Sequence, residues 1–235
     1  MTIVPSAPGR VILTGSSSGI GLALAEMFLG HGWTVFGLDL NASPESTASS
    51  PAFQGFEVDV TDDAAVGEVF DRISADGAAP DALVTAAGMY PTTFFGSSDL
   101  AAFRRLFDLN VWGTVTACQH FARICAPGAS IVTISSRDAY IPQENQFLYG
   151  ASKAAVAHLT AAMATSLLPR GIRVNSVSPP RVATEALRAI YGEMPADAVP
   201  LSVITSAVHA LAVRGEMAGL NGQIVRIPAL GEVAC

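Results

Sequence analysis

A chain of 235 residues, 50% hydrophobic and only 14% charged, suits one large α/β unit with a well-buried core better than two small ones. Its formal net charge of −7, without any basic cluster, argues against nucleic acid or an anionic membrane surface as partner. No apolar run approaches the roughly 18 residues of a membrane span, and Met1 to Pro8 lacks a basic start followed by an apolar segment, so a cytoplasmic location is expected.

In chain order, Val11-Ile12-Leu13-Thr14 reads as a short buried strand, and a helix starts at Gly19 and runs through Ala23, Met27 and Phe28. Between them lies Gly15-Ser16-Ser17-Ser18-Gly19-Ile20-Gly21. Three glycines at a strand-to-helix turn let the backbone approach a pyrophosphate, whose charge meets the free N–H groups at the helix start. The second strand, Thr34 to Leu38, ends in Asp39. A carboxylate there accepts bonds from adenosine ribose hydroxyls and repels a 2′-phosphate. No Arg or Lys stands near Asp39 or within the glycine loop, so NAD is expected rather than NADP.

A Ser/Pro-rich loop, Asn41 to Pro51, precedes a third strand from Phe53 to Val58. A helix from Asp62 to about Asp76 is expected next, with Thr61 as its cap. The fourth strand, Asp81 to Ala86, leads through Ala87 and Gly88 to Met89-Tyr90-Pro91, at the sheet end where ligands of doubly wound folds lie. One long helix is expected from Ala101 to Cys125, carrying Asn110-Val111-Trp112-Gly113. A fifth strand, Ser130 to Ser135, delivers Ser136, and a polar loop from Arg137 to Leu148 includes Asp138 and Gln143. The next helix carries Tyr149, runs on to Leu168 and stops at Pro169-Arg170-Gly171. Arg173 to Ser178 is the sixth strand, Glu185 to Pro200 a short lid, Leu201 to Val213 a helix, and Gln223 to Ile227 the last strand. Strands alternating with helices throughout predict a parallel sheet covered on both faces.

The densest signal is Tyr149-Gly150-Ala151-Ser152-Lys153. Residues four apart on a helix share a side, so a phenol and an ammonium occupy one small volume. Of the 13 basic Lys and Arg residues only Lys153 is a lysine, and arginine does not replace a compact, titratable ammonium. Cys118, Cys125 and Cys235 show no metal-like spacing and read as reduced thiols. His31, His120, His158 and His209 are scattered, so no metal is expected.

The glycine turn, Ser136 and the Tyr149/Lys153 pair, in this order and spacing, resemble the short-chain dehydrogenase/reductase family from Arg10 to about Ile227. The resemblance implies a single Rossmann-type domain over residues 1–235, with a doubly wound, parallel, seven-stranded sheet. It implies catalytic roles for Ser136, Tyr149, Lys153 and Asn110, whose main-chain carbonyl holds a water joined to the lysine. Around the dinucleotide it places Gly15, Ser17, Ser18, Gly19, Ile20, Gly21, Asp39, Asp59, Val60, Ala86, Ala87, Gly88, Tyr149, Lys153, Pro179, Val182 and Thr184. Two positions depart from the family pattern: Thr85 stands for an Asn, and Pro180 for a Gly beside the nicotinamide.

The implied reaction interconverts a secondary alcohol and a ketone on a small polar substrate such as a hydroxy acid, cyclic diol or polyol. Ser136 holds the substrate oxygen and Tyr149 moves the proton. Lys153 and the positive nicotinamide ring are expected to favour the phenolate and lower the phenol's pKa. Arg137, Arg181, Gln143 and Tyr90 are the candidate substrate contacts, with an arginine pairing a substrate carboxylate. A structural ion pair is the competing reading for each arginine. A non-catalytic NAD-sensing protein is the alternative function, disfavoured because Asn110, Ser136, Tyr149 and Lys153 are all present. An epimerase or dehydratase calls for a larger substrate domain. Reduction of groups on an acidic carrier protein is disfavoured by the negative charge. Apolar residues on more than one helix face, among them Trp112, Val115, Cys118, Phe121, Val156 and Met163, suggest a homodimer or homotetramer.

Overall fold

The computed structural model describes residues 8–213, 217 and 219–231, so Cys235 lies outside the described residues. Seven strands form one parallel sheet: β1 (Arg10–Thr14), β2 (Thr34–Asp39), β3 (Phe53–Glu57), β4 (Ala82–Thr85), β5 (Ser130–Ile134), β6 (Arg173–Ser178) and β7 (Ile224–Arg226). Their order across the sheet is β3-β2-β1-β4-β5-β6-β7. The central strands are continuous apolar runs because helices cover both faces, leaving them no solvent side to alternate with. Val11, Ile12, Leu13, Leu83, Val84, Ile131 and Val132 are all fully buried.

Helices α1 (Gly19–Gly30), α2 (Glu45–Ala48), α3 (Asp63–Ala75), α4 (Leu100–Phe107), α5 (Gly113–Ile124), α6 (Phe147–Leu167), α7 (Glu185–Tyr191) and α8 (Leu201–Ala212) make up the rest. On one face Phe70, Ile73, Phe121, Ala122 and Ala164, from α3, α5 and α6, pack on Ile12, Leu83 and Ile131. On the other, Leu24, Phe28, Ile204 and Val208, from α1 and α8, pack on Val11, Leu13 and Val84. Successive strands run outward in opposite directions from β1 and β4, so a crevice opens between those two at their C-terminal ends.

Several expected details shift. The α3 cap is Asp62, whose carboxylate accepts from the Ala65 amide at 3.1 Å, while Thr61 donates to Asp59. A one-turn helix, α2, sits in the Ser/Pro-rich loop and buries Thr47. The helix expected from Ala101 to Cys125 is interrupted by a π turn, Asp108–Trp112, between α4 and α5. Asp99 caps α4, accepting from Ala102. Cys118, Phe121 and Val156, expected to leave apolar surface over, are buried within the subunit, whereas Trp112 is exposed.

Candidate active site

The β1–α1 turn is built by glycine geometry. Gly15 has φ +72°, and a Cβ there would lie 2.7 Å from the Ala87 backbone. A Cβ on Gly21 would come within 1.9 Å of the Gly15 carbonyl, so only glycine lets α1 start this close to the turn. Gly19, at φ +51°, has nothing nearer than the Thr184 methyl at 3.8 Å and lies on the open lip. The first turn of α1 contains no acidic residue and Ser18 makes no side-chain cap, so its amides are available to an anion.

Asp39 ends β2 beside this turn. Its carboxylate accepts from the Ser17 amide at 3.0 Å, the Asn41 amide at 2.9 Å and the Asn41 side chain at 3.2 Å. Burial pushes its pKa up, but the Asn41 and Ser17 bonds outweigh this and hold it below the ordinary carboxylate value. Ser17 therefore fixes Asp39 and does not line the cleft, unlike Gly15, Ser18, Gly19, Ile20 and Gly21. The neighbouring wall residues Leu40, Asn41, Val58, Asp59, Val60 and Thr61 carry no cation. Asp59 is turned into its own loop by the Thr61 amide and hydroxyl. Val60 reaches the wall because a Cβ on Gly113 would collide with it at 2.8 Å. Positive-φ glycines, free helix amides and a fixed carboxylate suit the pyrophosphate and ribose of a dinucleotide.

The cleft between these elements and the lid has a volume of about 930 Å³. Ala86, Ala87 and Gly88 form its floor after β4, with the Ala87 amide donating to Thr14 Oγ1 at 3.2 Å. Thr85 is buried just behind, and its hydroxyl has no hydrogen-bond partner among the described residues. At the far end Ser136, Tyr149 and Lys153 converge, delivered by β5 and α6. Ser136 is hydrogen-bonded to the Tyr149 phenol, and its Oγ also accepts from the Asp138 amide at 3.2 Å. Lys153 Nζ donates to the Ile134 carbonyl at 2.9 Å and lies 6.0 Å from the centre of the Tyr149 ring.

Burial dominates the electrostatics at this end of the cleft. Tyr149 is partly buried, and desolvation pushes its phenol up to about 12, opposed by the Ser136 bond and reinforced by Asp138 and Tyr90. Burial lowers the Lys153 ammonium to about 8. Loss of solvent governs the phenol here, the ammonium being bonded to a carbonyl rather than to the phenol.

Asn110 lies in the π turn, wholly buried behind the cleft wall. Its side chain exchanges two bonds with Met89 main chain, at 2.9 and 3.0 Å, and donates to Ser152 Oγ at 3.0 Å. Ser152 in turn donates to the Tyr149 carbonyl at 2.8 Å. The Asn110 carbonyl receives the Thr114 hydroxyl at 2.9 Å. Ser152, absent from the expected set, is thus the link between Asn110 and Tyr149. Its position inside the Tyr149–Lys153 stretch was the available signal.

Toward the lid, the Pro179 carbonyl accepts the Arg137 amide at 2.9 Å, and Pro180 and Val182 line the cleft. Thr184 caps α7, accepting from Leu187 at 3.1 Å, and is hydrogen-bonded to Tyr90. Tyr90 stands edge-on to Tyr149 at 6.3 Å. Gln143 lines the cleft and reaches its own loop carbonyl at Ile141. Arg181, expected to reach for substrate, is held instead by Asp197 at 2.9 Å and lies over the Tyr191 ring at 5.3 Å. Arg137 lines the cleft beside Asp138 and acts on its charge.

A dinucleotide turn joined through one cleft to a Ser–Tyr–Lys constellation defines an oxidoreductase acting on CH–OH groups. A family profile described as enoyl-(acyl carrier protein) reductase matches residues 15–217. The chain is 33% identical over 176 residues to the cis-4-hydroxycyclohexanecarboxylate dehydrogenase of Sinomonas cyclohexanicum, covering 72% of this chain and 71% of that one. It is 32% identical over 186 residues to the D-threitol dehydrogenase of Mycolicibacterium smegmatis, covering 75% and 72%. The ligand-free aldohexose dehydrogenase of Thermoplasma acidophilum superposes with a TM-score of 0.84 at 28% identity, over 94% and 92% of the two chains. The chain belongs to the short-chain dehydrogenase/reductase family. No helix among the described residues is long and apolar enough to cross a membrane.

Proposed function

We propose that the protein is an NAD-dependent dehydrogenase of a small polyhydroxylated or hydroxy-acid substrate, with Tyr149 as the proton-transferring group. The observation that carries the reading is the convergence of Ser136, Tyr149 and Lys153 at one end of the cleft that starts at the glycine turn. The relatives named for a cyclic hydroxy acid and for threitol support a small polar alcohol as substrate.

Gly15, Gly19, Ile20 and Gly21 would hold the pyrophosphate, Asp39 the adenosine ribose, and Ala87, Gly88 and Val182 the middle of the molecule. When bound, NAD supplies the hydride acceptor for oxidation, and its reduced form the donor for reduction. Ser136 Oγ holds the substrate oxygen, and the Tyr149 phenol passes a proton to or from it. Lys153 supplies positive charge behind the phenol, and Asn110 positions Tyr149 through Ser152. Asp39 favours NAD because its carboxylate, with no cation beside it, repels a 2′-phosphate. Trp112 and the small exposed residues Ala161, Ala162 and Thr165 of α6 support pairing with a second copy.

The test is an NAD-reduction screen over polyols, cyclic diols, sugars and hydroxy acids, read by nicotinamide absorbance, with Tyr149→Phe as control. Turnover by the variant should fall about 10²- to 10⁴-fold while NAD affinity changes little. Near-normal turnover would remove Tyr149 from the reaction. Tight NAD binding without NADH formation on any alcohol would favour a sensor.

A further inference from the structure

Asp138 belongs to no motif, yet it stands on the wall where the reacting oxygen must lie. It sits in the short 3-10 turn Arg137–Ala139, directly after Ser136. Two contacts fix that turn. The Asp138 amide donates to Ser136 Oγ at 3.2 Å, and its carbonyl is so close to α6 that a Cβ on Gly150 would come within 2.7 Å of it. Asp138 lines the cleft with Ser136, Gln143 and Tyr149, and its charge is felt at the Tyr149 phenol.

Two other carboxylates of the cleft wall, Asp39 and Asp59, already have partners. Asp39 accepts from Ser17 and Asn41, and Asp59 from Thr61. Among the described residues, no hydrogen bond or ion pair of such a kind ends on the Asp138 carboxylate, although burial has already pushed its pKa upward against the opposing pull of Arg137 and Arg181. A partly desolvated acceptor of this kind is stabilised by a donor brought with the substrate. Of the two arginines placed to receive a substrate carboxylate, Arg181 is committed to Asp197, and Arg137 lies beside Asp138 with its charge set against that carboxylate. An anionic group entering this part of the cleft would meet Asp138 instead.

We propose that Asp138 is a specificity-determining residue: its carboxylate accepts a hydrogen bond from a second hydroxyl, on a carbon neighbouring the carbinol held by Ser136 and Tyr149. The substrate is then a neutral vicinal diol or polyol rather than a hydroxy acid. This rests on the dehydrogenase reading above and selects between its two substrate classes.

The test uses the intact enzyme with NAD and two matched series: cyclohexanol, vicinal cyclohexanediol and hydroxycyclohexanecarboxylate; and butanol, vicinal butanediol and hydroxybutanoate, each with a secondary carbinol. Wild-type kcat/KM should favour the diol over the mono-alcohol by about 10- to 100-fold, the worth of a hydrogen bond to a charged group. Asp138→Ala should bring that ratio close to one, and Asp138→Asn, which keeps the shape, should reduce it while raising the hydroxy acid relative to the mono-alcohol. The ratios cancel any loss passed through Ser136 to all substrates alike. A diol-to-mono-alcohol ratio unchanged in both variants, or a wild-type preference for the hydroxy acid, overturns the proposal and leaves the dehydrogenase reading standing. No NADH from any compound with wild-type enzyme overturns both.

Discussion

Asp39 and Ser17 show how one residue can act through another. Ser17 reads as part of a phosphate-binding loop, but its amide is spent on the Asp39 carboxylate, which it helps keep ionised and oriented. Removing the carboxylate should therefore change which dinucleotide is accepted more than whether one is accepted. For Asp39→Ala, KM for NAD is expected to rise about 10-fold while discrimination against NADP falls, because one ribose acceptor and one repulsive charge are lost together. Parallel kinetics with the two dinucleotides check this, and an unchanged preference would remove Asp39 from the selection. Arg181 carries the opposite lesson. Its place after the sixth strand was legible, but Asp197, 16 residues away on the far side of the lid, decided its partner.

At the scale of elements, the informative departures are the π turn and the end of β4. A helix expected to run unbroken widens at Asp108–Trp112, the segment that holds Asn110. Such single-turn widenings often accompany functional sites. Here it carries an amide that clamps Met89 and Ser152 together behind the cleft. Thr85 sits at the sheet centre with a buried, unpartnered hydroxyl. Where the family pattern has an asparagine, this threonine leaves a buried hydroxyl without a hydrogen-bond partner among the described residues. Thr85→Val replaces the hydroxyl by a methyl of similar shape, so a gain of about 1 kcal/mol is expected, or roughly 2–4 °C in Tm. A thermal melt that falls instead would mean that the hydroxyl has a partner.

For the whole molecule, the burial of Lys153 sets a cost that pH can reveal. Its folded value of about 8 lies below the ordinary 10.5. Below about pH 8 both folded and unfolded chains hold the proton, and the fold bears the full burial cost. From about 8 to 10.5 only the unfolded chain keeps it, so this group makes stability rise with pH across that window. Tyr149 works in reverse: with its phenol raised from 10.0 to about 12, the folded chain keeps the proton longer, and stability falls as pH climbs through that range. Lys153→Met should stabilise the protein at pH 7 by about 1–3 kcal/mol, less whatever the Ile134 bond contributes, while abolishing turnover. Denaturant unfolding at pH 7 and 9.5 measures both effects, and a destabilised variant with an unchanged pH slope would contradict the account. On the proposed reading, stability is thus given up to hold an ammonium beside the reacting phenol.

The sequence by itself determined the alternation of strands and helices, the glycine turn, the acidic end of β2 and the pairing of Tyr149 with Lys153. Each of these is a local matter, set by backbone freedom, apolar periodicity or spacing along one helix. Only the tertiary structure decided that Arg181 belongs to Asp197, that Ser152 ties Asn110 to Tyr149, that burial weighs on the phenol, and that Asp138 lies in the cleft wall. Those outcomes depend on residues far apart in the chain and on the water excluded when they meet, and neither proximity nor desolvation is written in the order of the residues.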